Sequence, residues 1–190
     1  MSIRENYLTI RENMEKAAAM AGRDVNTVKL IAVTKFVEEA RISEALDCGV
    51  TAVGENRVQE LTGKLEFFRT RGAEVNLIGQ LQTNKVKYII DKVSLIHSVD
   101  SYKLAEEINK RAAQHGIVMD ILIQVNSAME ESKFGITTDE TDSLIEEILK
   151  NCPNIRIRGL MCIAPFAENP GDAAKYFRAV KEIYDRYADA

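Results

Sequence analysis

Two rhythms of apolar residues alternate along this chain, one at steps of three and four, the other in short unbroken runs. Ile3, Tyr7, Ile10, Met14, Ala17 and Ala21 keep the first rhythm and predict a helix over 2–21, ended by Gly22. Lys29-Leu30-Ile31-Ala32-Val33-Thr34 then gives a run that reads as a short strand buried on both faces, as in a parallel sheet. A helix over 37–47, with Val37, Ala40, Ile42, Ala45 and Leu46 inward, stops at Gly49. A strand over 50–53 is closed by Gly54-Glu55-Asn56, and a helix from 57 carries Val58, Leu61, Leu65 and Phe68 to Gly72. A third strand over 75–78 ends at Gly79, and a short helix bears Val86, Tyr88, Ile89 and Ile90. The fourth strand, 93–96, ends at His97-Ser98-Val99-Asp100, where Ser98 or Asp100 is placed to cap a helix over 101–115. Leu104, Ala105, Ile108 and Ala112 form that helix's inner side. The fifth strand, 119–125, is closed by Asn126 and a polar loop over 127–135. A helix from Thr138 or Asp139 carries the stripe Leu144, Ile145, Ile148 and Leu149 and stops at Pro153. The sixth strand lies within 155–163, interrupted by Gly159, and a last helix covers 171–188.

Strict alternation of strand and helix means right-handed βαβ units and a parallel sheet, an α/β fold. No change of composition divides the chain, so residues 1–190 read as one domain. Two architectures fit: an open doubly wound sheet, or a (β/α) barrel of the TIM type. The strand count suits the first, but no Gly-x-Gly-x-x-Gly follows strand one, and a lysine stands where the phosphate turn would be. The second calls for eight strands and ~250 residues, two units more than this chain supplies.

Composition narrows the class without choosing the function. Of 190 residues, 46% are apolar and 28% charged, as in an ordinary globular protein. A net charge of -4 gives no electrostatic footprint for nucleic acid. There is no apolar run long enough for a membrane helix, and the first residues lack the apolar core of a signal peptide. Cys48, Cys152 and Cys162 are widely spaced with no Cys-x-x-Cys, which points to reduced thiols in the cytoplasm. His97 and His115 are too far apart for a local metal motif.

Candidate chemistry gathers where the strands end, the edge at which α/β folds build their sites. Lys35 follows strand one, Glu55 and Asn56 strand two, Gly79, Gln80, Gln82, Asn84 and Lys85 strand three. His97 and Asp100 follow strand four, Asn126 strand five, and Met161 ends strand six. A desolvated lysine can attack a carbonyl, and one encircled by amides and a histidine suits an aldehyde. Each residue has a plainer reading too: helix caps for Asn56, Asn84 and Asp100, a hydrogen-bonded strand end for His97, core for Met161, and solvated loop charges for Glu130, Glu131 and Lys133. No paired carboxylates and no Gly-x-Ser-x-Gly are present.

Seven segments resemble one family in order. They are Ala32-Val33-Thr34-Lys35, Gly54-Glu55-Asn56-Arg57-Val58-Gln59-Glu60, Ile78-Gly79-Gln80-Leu81-Gln82-Thr83-Asn84-Lys85 and His97-Ser98-Val99-Asp100. Gln124-Val125-Asn126, Glu130-Glu131-Ser132-Lys133-Phe134-Gly135 and Arg158-Gly159-Leu160-Met161 complete the set. The pattern is similar to that of the pyridoxal phosphate homeostasis proteins, related in fold to the N-terminal barrel of alanine racemases. The resemblance implies a (β/α)8-type barrel holding pyridoxal 5'-phosphate (PLP) as a Schiff base on Lys35, with Val33, Asn56, Asn126, Met161 and His97 as further cofactor contacts. It implies a carrier or buffer in vitamin B6 and amino-acid balance, without enzymatic turnover, monomeric when complete, with apo PLP enzymes as recipients. Lys133 is a candidate second amine. A racemase-like PLP enzyme and a cofactor-free interaction module are the other readings.

The resemblance stops after Ala164. Family members continue with a Ser-Met-Gly-Met-Ser-type turn and an Arg-Val-Gly-Thr-type turn that cup the phosphate, and nothing here matches them. The expectation is therefore a C-terminally truncated barrel with six of eight βα units and strands one and six as open edges. PLP is expected to bind weakly or not at all, because two lost charge-assisted hydrogen bonds cost ~100-fold or more in affinity.

Overall fold

The computed structural model describes residues 2–128, 134–166 and 169–187. Along them run α1 (Ile3–Met20), β1 (Ile31–Val33), α2 (Glu39–Asp47), β2 (Ala52–Glu55), α3 (Val58–Thr70) and β3 (Glu74–Leu77). There follow β4 (Leu95–Val99), α4 (Tyr102–His115), β5 (Met119–Gln124), α5 (Thr138–Asn151), β6 (Ile155–Met161) and α6 (Pro170–Tyr187). Between β3 and β4 the connection is a 3-10 helix, Thr83–Tyr88, not an α-helix. The strands form one sheet in the order β1-β2-β3-β4-β5-β6. A doubly wound sheet reverses its order at a switch point. This order never reverses, so of the two architectures the sheet is of the barrel kind, with six strands.

Two compact units divide the chain, residues 1–76 and 77–190. In the first, Ser2 and Glu5 close a capping box that starts α1, with Ser2 Oγ accepting from the Glu5 amide at 3.2 Å. The core is built from Ile42 of α2, Ala52 and Val53 of β2, and Leu61 and Phe68 of α3, all 2% exposed or less. Burial of this kind is the main force holding short strands in place. The inner side of α1 is turned slightly from expectation: Ala18 is buried while Ile10 and Ala17 are exposed.

Strand β1 departs from its sequence reading. It is three residues long and open, with Val33 52% exposed, because at the end of the strand order it pairs only with β2. Strand β2, by contrast, is buried throughout and runs two residues further than expected, taking in Gly54 and Glu55. The register Ile31↔Ala52, Ala32↔Val53 and Val33↔Gly54 continues one step beyond, where the Thr34 amide donates to Gly54 O at 3.0 Å.

In the second unit Ile96, Ile108, Ile121, Ile123 and Ile148 are all but sealed from solvent. Strand β4 also extends further than expected, so His97 and Ser98 lie inside it and are buried. Ser101, not Ser98 or Asp100, is the N-cap of α4, and it makes no side-chain capping bond. Leu149, expected inward on α5, is 63% exposed, while Leu144, Ile145 and Ile148 are buried as expected. Strand β6 pairs with β5 from Met119↔Ile155 to Ile121↔Ile157, then slips by one so that Gly159 faces Leu122 and Met161 faces Gln124. Arg158 is the extra residue of this bulge, and Gly159 supplies the φ of 147° it needs.

Candidate functional site

Alternation sorts the end of β1 and β2 into two sides. Glu55 points toward α3, where Lys64 meets it, and Thr34 Oγ1 turns the same way to reach the Glu55 carboxylate. Val33 and its register partner Gly54 belong to the other side, and two positions on in each segment stand Lys35 and Asn56. Glu55, expected among the polar groups of the strand ends, is therefore on the helix side and fully buried.

The helix-side cluster is dense. Lys64 Nζ donates to Glu55 Oε1 at 2.8 Å and to the Thr34 carbonyl at 2.9 Å, and lies 3.8 Å from Glu60 Oε2. Thr34 Oγ1 donates to the same Glu55 oxygen at 2.8 Å. Glu60 Oε2 accepts from the Phe36 amide at 2.9 Å. Phe36 has a φ of 59°, a left-handed conformation uncommon for a bulky residue, and the Arg57 guanidinium lies 5.1 Å from its ring centre.

Between these anchored neighbours, Lys35 is exposed and makes no hydrogen bond or ion pair among the described residues. Asn56 is half-buried, and its Oδ1 is buried without a hydrogen-bond partner among them.

In the second unit the segment after β5 folds back on the strand's end. The Asn126 amide donates to Ile136 O at 2.8 Å, and the Ile136 amide to Gln124 O at 2.9 Å. The Val125 amide donates to Met161 O at 2.8 Å, which brings the expected pair Asn126 and Met161 together at the ends of β5 and β6. Both are half-buried. Gly135, at φ 118°, passes so close that a Cβ there would lie 2.7 Å from the Asn126 amide nitrogen. His97 is set apart from them, within β4, and Ser98 Oγ beside it donates to Gly79 O at 2.6 Å. Burial pushes the Asp100 carboxyl above the usual range, against hydrogen bonds from its own amide, the Gly135 amide and Ser101. Glu130, Glu131 and Lys133 lie outside the described residues. No group of His, Cys, Asp and Glu among the described residues could hold a metal ion, and no described helix is long and apolar enough to cross a membrane.

Glu60, Lys64 and Phe36 were not singled out by the sequence. An i, i+4 Glu–Lys pair was there to be read, but such pairs ordinarily mark a solvated helix face.

Sequentially ordered parallel strands with a lysine after the first define a class, that of the alanine racemase N-terminal domain, whose family matches residues 6–190. The pyridoxal phosphate homeostasis protein of Aquifex aeolicus is 44% identical over 97% of this chain and 81% of its own length. That of Helicobacter pylori strain 26695 is 34% identical over 100% and 86%. PipY of Synechococcus elongatus, in a structure with PLP bound, is 28% identical with a TM-score of 0.76, covering 91% of this chain and 80% of that one. This chain belongs to the pyridoxal phosphate homeostasis protein family. These two curated relatives are named for homeostasis and not for a reaction.

Proposed function

We propose that this chain carries PLP covalently on Lys35 and buffers or delivers it, to apo PLP enzymes, within the cytoplasm. PLP brings an aldehyde, an aromatic ring and a phosphate. The ε-amine of Lys35, once deprotonated, adds to the aldehyde carbon; water leaves and a C=N bond replaces C=O. The observation that carries the reading is the contrast between two lysines. Lys64 is engaged by Glu55 and the Thr34 carbonyl, whereas Lys35, at the exposed end of β1, has no partner among the described residues.

The residues present fit the aldehyde and the ring of such a group; the turns expected to cup its phosphate have no match in the sequence, so the affinity expected is low. The orphaned Asn56 Oδ1 is an acceptor awaiting a donor, and Val33 offers exposed apolar surface two residues before the lysine. In the second unit the Val125 amide donates to Met161 O and the Asn126 amide to Ile136 O, in keeping with ring contacts from Asn126 and Met161. His97 is the weakest of the expected contacts, because it is buried within β4 and not at its end. Three free cysteines support a reducing, cytoplasmic setting. The single-domain reading of residues 1–190, and a monomer for the complete chain, belong to the same proposal.

The test is borohydride reduction after incubation with PLP, followed by peptide mapping. One phosphopyridoxyl group on Lys35, absent from Lys35→Ala, is the expected result. Label scattered over surface amines with Lys35 unmodified overturns the proposal.

A further inference from the structure

Lys35 is flanked by two backbone groups that one face of α3 holds. On its amino side the Thr34 carbonyl accepts from Lys64 Nζ at 2.9 Å; on its carboxyl side the Phe36 amide donates to Glu60 Oε2 at 2.9 Å. Glu60 and Lys64 are themselves 3.8 Å apart. Phe36 is 72% exposed, so no pocket for its ring keeps it at a φ of 59°. A bulky residue stays in that region only where its surroundings over-determine it. The groups that do so here are the Val37 amide, which closes the turn on the Thr34 carbonyl at 3.1 Å, the Glu60 carboxylate on the Phe36 amide, and Arg57 beside its ring. A fold needing only a charge partner for Lys64 is already served by buried Glu55 at 2.8 Å; the shorter contact of Glu60 is to the Phe36 amide, and it acts on the turn at Lys35.

We propose that Glu60 is a positioning residue for Lys35: its carboxylate pins the Phe36 amide while its neighbour Lys64 pins the Thr34 carbonyl, and together they fix the direction of the lysine between them. The role rests on Lys35 being the PLP-bearing amine. Without the Glu60 acceptor, residue 36 relaxes to negative φ and the lysine's aim is lost, though the amine itself remains.

Glu60→Ala and Glu60→Gln separate this from a role in stability, since the glutamine carbonyl still accepts from the Phe36 amide. Two readouts are taken. In protein without PLP, hydrogen exchange over residues 34–37 should quicken in Glu60→Ala and not in Glu60→Gln. With PLP and borohydride, trapping at Lys35 should slow by about tenfold in Glu60→Ala, stay within about threefold in Glu60→Gln, and be unchanged at exposed Lys16 in both. Wild-type rates of exchange and trapping in Glu60→Ala, or equal losses in the two variants, overturn the positioning role. A wild-type protein left unlabelled at Lys35 overturns instead the PLP reading on which it rests, while the exchange experiment still decides whether Glu60 holds the turn.

Discussion

Lys35 and Lys64 occupy the same end of β1 and are put to opposite uses. The Lys64 ammonium, 16% exposed, neutralises a carboxylate wholly withdrawn from water. Breaking such a pair by removing one partner costs about 3–5 kcal/mol, far more than the pair contributes over an apolar substitute. Asp100 is a half-buried carboxyl of the second unit. Burial raises its pKa above the unfolded value, so in the acid range the folded protein binds the extra proton. The stability linked to it is present below the unfolded pKa and is lost as pH rises through the folded one. Asp100→Asn should therefore be more stable than wild type at neutral pH, the gap closing as pH falls toward about 4. Urea denaturation across that range checks this; a gap that widens on acidification contradicts it. Lys35 and Asn56 were legible in the sequence because a strand end followed by amine and amide is a local pattern. Glu60 was not, because its partner is a main-chain amide brought to it by tertiary structure.

Among the elements, helices α3 and α4 were read most fully. Val58, Leu61, Leu65 and Phe68, and Leu104, Ala105, Ile108 and Ala112, are all buried as their spacing required. A helix repeats its inner side several times, so one misread position does not move it. The short strands have no such redundancy: β2 and β4 both run past their expected ends because Gly54-Glu55 and His97-Ser98 look like turn residues. What makes them strand is burial on a paired sheet, which composition does not reveal. The return segment at Gly135 is constrained twice, by a φ of 118° and by the 2.7 Å approach of any Cβ to the Asn126 amide. Gly135→Ala should destabilise the protein by about 2 kcal/mol and displace Asn126 from Ile136. Thermal unfolding measures the first, and amide exchange at residue 126 the second; an unchanged midpoint would show that the segment shifts freely.

For the whole molecule the informative property is the order of the strands. It distinguishes a barrel-type sheet from a doubly wound one, a choice the alternation of elements left open. Strand β5 lies between β4 and β6, while β1, at the end of the order, pairs only with β2. Hydrogen exchange should follow this, with amides of Met119–Gln124 protected about tenfold or more over those of Ile31–Val33. Equal protection would mean that the first strand is covered by something the strand order does not include.

The bulge in β6 sets the parity of all that follows it. Were Arg158 taken into regular pairing, it would stand level with Leu122, Leu160 would stand level with Gln124, and Met161 would be turned to the opposite side. The bulge thus decides whether a thioether or an isobutyl group looks toward the company of Gln124. Deleting Arg158 would straighten the strand and leave Met161 where it is, because Gly159, Leu160 and Met161 already keep step with Leu122, Ile123 and Gln124.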